Sequence, residues 1–263
     1  MMLKDKVAVI YGAGGDIGAA VARAFAHEGA KLFLSGRSLG KVKAVAADIA
    51  SRGGVAEATE LDALDEQAVE KYVGGVVDKT GRLDISFSAI SVAHALPDKA
   101  PLVELSAAHF ALPIAAYTQS NFLTARSAAR RMVTQRSGVI LMVTGIPGRM
   151  GFPFVGGSGP AYAAVAALTR GLSVELAPQG VRVGCLMPHA IPETTTIREN
   201  FERYAKAAGV SRADFQARME STTHLRRLTT LAELSNAAVF FASDRASAFS
   251  GTILNLSGGA VAD

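Results

Sequence analysis

Apolar and polar positions along this chain follow two periods in turn. Short, β-rich apolar runs fall at Lys6–Tyr11, Lys31–Ser35, Val55–Leu61, Leu83–Ser88, Val139–Thr144, Val181–Met187 and Thr252–Leu256, and these predict strands. Between them, helical spacing predicts helices at Ile17–His27, Leu39–Arg52, Asp65–Thr80, Ala115–Arg136, Tyr162–Ala177 and Thr230–Ser243. Strands this short and this apolar, each followed by a helix, predict an α/β chain built on a parallel sheet with helices on both faces. No linker, repeat or composition shift divides the sequence, so one domain is expected over 1–263. The least regular stretch, 188–223, is rich in Thr, Arg and Ala and reads as a helical cap inserted near 190–224.

Composition narrows the class. With 49% apolar and 19% charged residues, the 263-residue chain is far from disorder and needs no staple to form a core. Its one cysteine, Cys185, can form no internal disulfide and no zinc site alone, which suits a reducing cytoplasm. No apolar run reaches the roughly 18 residues of a membrane span, so no membrane partner is expected. The net charge of +4 is scattered. Its local cluster, Arg126, Arg130, Arg131 and Arg136, sits on the polar side and end of one predicted helix, and no stacking aromatics are interleaved with it. No nucleic-acid partner is expected.

The first chemical signal is Gly12-x-Gly14-x-x-x-Gly18, placed between the first predicted strand and helix. Free N–H groups and the positive helix end would meet a phosphate there, and glycine allows positive φ and close backbone approach. A tight strand-to-helix turn is the bland alternative.

From end to end the sequence resembles the short-chain dehydrogenase/reductase family. The resemblance rests on the Gly12–Gly18 turn, Leu61-Asp62, Arg82-Leu83-Asp84-Ile85, Leu168-Thr169-Arg170-Gly171-Leu172 with Glu175-Leu176-Ala177, and Phe241-Ala242-Ser243-Asp244-Arg245-Ala246-Ser247 followed by Gly251 and Gly258-Gly259. It implies a Rossmann-type doubly wound sheet of seven parallel strands, order 3-2-1-4-5-6-7, binding NAD(P) at the topological switch point. The implied cofactor-binding positions are Gly12, Gly14, Asp16, Ile17, Gly18, Arg37, Asp62, Ala63, Ser88, Ala89, Pro188 and Ile191. Members that use NAD carry an acidic residue after the second strand. Here Gly36-Arg37 stands there, and an arginine can grip a 2′-phosphate in bidentate fashion, so NADP is expected over NAD. The family's middle glycine is Asp16, which reads as an N-cap of the following helix or as a charge that weakens cofactor affinity. The resemblance also implies a homo-oligomer, a tetramer in the first instance, assembled through Ala163–Ala167 and Phe249–Leu256. A heteromer with an active paralogue would use the same surfaces.

The family's catalytic residues are missing. Registered on Leu168-Thr169-Arg170, the tyrosine position falls on Ser158 and the lysine position on Tyr162; Gly138-Val139-Ile140 places the serine at Gly145, beside Thr144, and Phe122-Leu123-Thr124 places the asparagine at Tyr117. No lysine occurs between Lys99 and Lys206, so neither the Tyr-x-x-x-Lys nor the longer Tyr-x6-Lys spacing can be recovered by a shift. Two further turns are altered, to Ser88-Ala89-Ile90-Ser91 and to Pro188-His189. Substitute acids to weigh are Tyr162, about one helical turn (~5.4 Å) past the usual tyrosine, and His189, whose ordinary pKa suits proton transfer. For Tyr162 the alternative is packing against Tyr117 and a ribose; for His189 it is a capping or solvent-facing role. Arg149 and Glu193 read as surface residues. Three functions remain open: an NADP(H)-binding oxidoreductase of small organic molecules with atypical or lost proton transfer, a non-catalytic NADP(H)- or ligand-binding protein, and a structural subunit.

Overall fold

The computed structural model describes residues 1–91 and 100–262. Among the described residues seven strands are present, β1 (Val7–Tyr11), β2 (Lys31–Gly36), β3 (Val55–Glu60), β4 (Ile85–Ser88), β5 (Gly138–Val143), β6 (Val181–Pro188) and β7 (Thr252–Leu256). They form one sheet in the order β3-β2-β1-β4-β5-β6-β7, and every pairing is parallel. The helices are α1 (Asp16–His27), α2 (Leu39–Ser51), α3 (Glu66–Thr80), α4 (Ala107–Gln135), α5 (Ser158–Leu176), α6 (Thr195–Ala207), α7 (Arg212–Ser221) and α8 (Leu231–Ala242). The predicted architecture and strand order are those observed. No helix among the described residues is long and apolar enough to cross a membrane.

β1 shows why the sheet is buried on both faces. All five of its residues are buried, and alternate side chains enter different cores. Ala8 and Ile10 join a cluster with Val21, Phe25, Val45 and Phe241, under α1, α2 and α8. Val9 and Tyr11 join Val73, Leu83, Met132 and Val165, under α3, α4 and α5. Each buried Val or Ile contributes roughly 1.5–3 kcal/mol of transfer free energy, so a strand with no polar face is stable only where both faces are covered. The connection from β1 turns to one side and that from β4 to the other, which opens a crevice beyond their carboxyl ends.

Two helices start earlier than the sequence pattern predicts. α4 begins at Ala107 rather than Ala115, with Pro113 inside it; Ser106 caps the extra turns by accepting from the His109 N–H at 3.2 Å. α5 begins at Ser158 rather than Tyr162, after Gly157, where a Cβ would lie 2.0 Å from the Phe110 carbonyl oxygen of α4. Between β6 and α8, helices α6 and α7 make a small core of their own from Ala190, Phe201 and Leu228, flanked by Ile197, Phe215 and Met219. The Arg126 and Arg130 guanidiniums of α4 pair with Glu66 and Glu70 of α3, the latter at 2.6 Å, so the basic cluster is largely answered by carboxylates.

Candidate active site

The glycine turn lies at the mouth of the crevice. Gly12 has φ 70°, and a Cβ on it would sit 2.5 Å from the Ala89 carbonyl oxygen at the end of β4. A Cβ on Gly18 would sit 2.3 Å from the Gly12 carbonyl oxygen, and one on Gly14 2.9 Å from the Lys41 Cβ. The first hydrogen bond of α1 runs from the Ala19 N–H to the Gly15 carbonyl at 2.8 Å. The N–H groups of Asp16, Ile17 and Gly18 therefore precede the ladder and are available to an anion. Ser88, paired with Tyr11 at the carboxyl end of β4, is buried, and its Oγ has no hydrogen-bond partner among the described residues. A close-approach turn, free helix-end donors and an orphaned buried hydroxyl fit a dinucleotide.

Asp16 departs from the sequence expectation. Gly15, not Asp16, is the N-cap of α1, and Asp16 is the first helical residue. Its carboxylate reaches across the crevice and accepts from the Thr195 N–H of α6 at 2.7 Å.

Beyond the turn, Arg37 is exposed and forms no ion pair among the described residues, and the same is true of Lys41. Ser38 is the N-cap of α2 but its side chain makes no capping bond, and no acidic residue stands in the first turn. This helix end thus gathers two cations, a free hydroxyl and unspent N–H groups next to Gly14. Lys41 and Ser38 were not marked by the sequence reading, although an acid-free first turn after Arg37-Ser38 is a legible signal. Asp62 is exposed and turns the chain by accepting from the Leu64 N–H at 3.0 Å, with half-buried Ala63 between.

At the other end, Tyr117, Gly145 and Tyr162, three of the four positions singled out by register in the sequence, come together, and Ser158 precedes Tyr162 by one turn of α5. Tyr117 of α4 is buried and donates its hydroxyl to the Val143 carbonyl at the end of β5. Tyr162 of α5 meets it edge-on, ring centroids 5.4 Å apart. A Cβ added to Gly145 would lie 3.2 Å from Tyr162 Cε2, so the Tyr162 ring occupies the space a serine side chain would enter. Thr144 donates to the Tyr162 carbonyl at 3.1 Å. Ser158 opens α5 and its hydroxyl makes no hydrogen bond among the described residues. Burial pushes the Tyr162 hydroxyl above its ordinary value, and pushes Tyr117 further, with Tyr162 and Cys185 adding to the shift. Neither tyrosine is a proton donor matched to neutral pH.

His189 corrects a second expectation. It packs against Phe152, ring centroids 6.1 Å apart, and burial lowers its pKa to about 4. It is neutral at pH 7, not poised to titrate there. Pro188 ends β6 and pairs with Leu256, and the side chain of Ile191 is in the main core. Glu193 and Arg149 are both exposed; Glu193 accepts from the Leu231 N–H of α8 at 2.6 Å, and Arg149 donates to the Ala262 carbonyl at 3.2 Å. A separate cleft of about 330 Å³ opens at the opposite end of the strands beside Lys6, Asp84 and Asp244, away from these groups.

Comparison with known proteins agrees with this geometry. The family model described as enoyl-(acyl carrier protein) reductase matches residues 12–261. Secoisolariciresinol dehydrogenase of Forsythia intermedia is 31% identical over 98% of this chain and 89% of its own length. L-rhamnose 1-dehydrogenase (NAD(P)(+)) of Azotobacter vinelandii is 30% identical over 98% of both chains. The crystal structure of NAD+-bound xylitol dehydrogenase superposes with a TM-score of 0.91 at 25% identity, over 98% of this chain and 100% of that one. The glycine turn, the strand order and the full-length match have one explanation: the chain belongs to the short-chain dehydrogenase/reductase family of oxidoreductases.

Proposed function

We propose that this protein is an NADP(H)-binding oxidoreductase whose reaction centre has no proton relay of its own, acting on small organic acceptors that take their proton from water. The observation that carries the reading is the N-terminus of α2, where Arg37, Lys41 and the Ser38 hydroxyl stand near Gly14 and neither cation forms an ion pair among the described residues. Relatives' names admit NAD as well as NADP, so the preference rests on these residues. Arg37 and Lys41 would hold the 2′-phosphate, the N–H groups of Ile17 and Gly18 the pyrophosphate, Asp62 the adenine amine, and the crevice beside Ser88 and Ala89 the remainder. A nicotinamide bound at the far end supplies or accepts hydride. There, Tyr162 and Tyr117 wall the site but hold their protons, and His189 stays neutral, which leaves water as the proton source. An activated alkene or imine suits such a site better than a ketone, and the description of the matching family model as an enoyl reductase supports an alkene.

The filled reaction end favours a second reading, a non-catalytic NADP(H)-binding protein or a structural subunit beside an active paralogue. Fluorescence titration with NADPH and NADH, followed by turnover on alkene, imine and ketone panels, separates the two. Tighter NADPH binding with turnover on alkene or imine supports the first reading, and binding without turnover the second. Absence of NADPH binding refutes the first, as does ketone reduction at several turnovers per second. Assembly as a homo-tetramer belongs to the same proposal: Ala163, Ala167 and Val174 on α5 and Phe249 before β7 are exposed. Light scattering that gives a monomer at micromolar concentration removes it.

A further inference from the structure

The entry to α6 is held by carboxylates on both sides. Thr194 is its N-cap and accepts from the Ile197 N–H, while donating to the Ile191 carbonyl at 2.8 Å. That leaves the Thr195 N–H among the orphan donors of the helix end. It is taken by Asp16, the first residue of α1, 179 positions away in the chain. Two residues earlier, Glu193 takes the Leu231 N–H at the start of α8. Residues 193–195 are thus tied to α1 and α8 by charge-assisted bonds, each roughly twice as strong as a neutral one.

The Asp16 bond is the unusual member. The carboxylate carried by the first residue of α1 closes the N-terminus of α6, and helix N-termini favour anions. The anion that the α6 end would draw from solution is here supplied by the chain. A phosphate brought to the Ile17 and Gly18 N–H groups meets that fixed negative charge at the first turn of the same helix. Attraction by the donors then works against repulsion by the carboxylate, and the ligand gains the Thr195 N–H only when Asp16 lets go of it.

We propose that Asp16 is an internal stand-in for the phosphate: it latches α6 over the glycine turn when no nucleotide is bound and sets dinucleotide affinity low, because binding must displace it. The proposal rests on the dinucleotide reading above for its second half only. By linkage, what holds the ligand-free arrangement subtracts from binding. The latch also joins affinity to the position of the α6–α7 segment, which flanks the reaction end through the stacked rings of Phe154 and Tyr204.

The test uses the full-length protein with Asp16→Gly, which restores the uncharged residue a glycine turn tolerates, and Asp16→Asn, which keeps the shape and removes the charge. Hydrogen exchange without nucleotide should show protection of the Thr195 amide lost in Asp16→Gly and the first turn of α6 exchanging about tenfold faster. NADPH titration should give a dissociation constant about tenfold lower in Asp16→Gly, with Asp16→Asn intermediate. Unchanged exchange at α6 overturns the latch. Faster exchange with unchanged or weaker NADPH affinity overturns the competition. Should neither the parent nor the variants bind NADPH, the dinucleotide reading and the competition fall together, while the exchange result still decides the latch.

Discussion

The reading of the reaction end predicts that Gly145 and Tyr162 are energetically coupled. Gly145 has φ −153° and ψ 159°, extended backbone that alanine adopts freely. Replacing glycine there should by itself stabilise by about 0.4–1 kcal/mol through the unfolded chain. Against this, the new Cβ would lie 3.2 Å from Tyr162 Cε2 and 3.4 Å from Pro147 Cδ. The ring must give by a few tenths of an ångström, which places the overpacking cost near the lower end of the usual range, about 1–2 kcal/mol. Gly145→Ala should therefore be neutral to about 1.6 kcal/mol destabilising in the parent. In a Tyr162→Ala background the ring is gone, the clash with it disappears, and the same substitution should stabilise. The coupling is about 1 kcal/mol, read from urea denaturation of the four proteins at constant slope. Additivity within about 0.3 kcal/mol would show that the ring does not fill the serine's space. The reaction end would then be open to a side chain at position 145, and the argument for a missing proton relay would lose its steric half.

Arg37→Asp should reverse the preference between NADPH and NADH, because it exchanges attraction for repulsion at the one group in which they differ; an unchanged ratio of dissociation constants would remove Arg37 from the phosphate. Ser158→Tyr with Tyr162→Lys and Gly145→Ser should raise ketone reduction by about 10²-fold or more if the surrounding site is intact, since general acid catalysis of this kind is worth about 10²–10⁴-fold; no gain in a folded, NADPH-binding variant would show that the site cannot be rebuilt at these positions. His189 has a folded pKa of about 4, below its ordinary 6.5. The unfolded chain therefore takes the proton first, and stability should fall as pH drops from about 7 to about 4, by at most about 3 kcal/mol. His189→Gln should flatten that part of the pH–stability curve, and an unaltered curve would show that the ring is not held neutral. Burial pushes the Cys185 thiol up to about 12, so iodoacetamide should label it only at the rate of unfolding; rapid labelling of the native protein would contradict its burial.

The sheet was legible because its signals are local. β1 and β5 are apolar throughout, α1 follows β1 within a few residues, and the glycine turn is contiguous. What could not be read depends on residues far apart in the chain. Asp16 shows its partner only when α6 is brought back over the turn, and Glu193 only when α8 is placed beside it. Both Gly145 and Tyr162 were identifiable by register, yet nothing in register says that the ring of one fills the space beside the other. The early start of α4 was hidden by Pro113, which normally punctuates. Its missing N–H costs one bond, and packing of the same proline beneath Gly157, whose Cβ would lie 2.8 Å from Pro113 Cγ, holds the turn in place.

The two ends of the site carry different kinds of information about the ligand. Gly12 and Gly18 are demanded by the fold itself: a Cβ on either would strike a backbone carbonyl within 2.5 Å, so a protein that had stopped binding nucleotides would still need both. Their presence supports a dinucleotide less than their reputation suggests. Arg37 and Lys41 are under no such demand, being exposed, free of ion pairs among the described residues, and placed at a helix end that two cations destabilise through its dipole. Cations kept where the fold gains nothing from them point to an anion from outside the chain. Lys41→Glu should then leave the melting temperature unchanged or slightly raised while weakening NADPH binding about tenfold and NADH binding little. A fall in stability without a change in the NADPH/NADH ratio would show that the helix end serves the fold, and the argument for NADP would go with it.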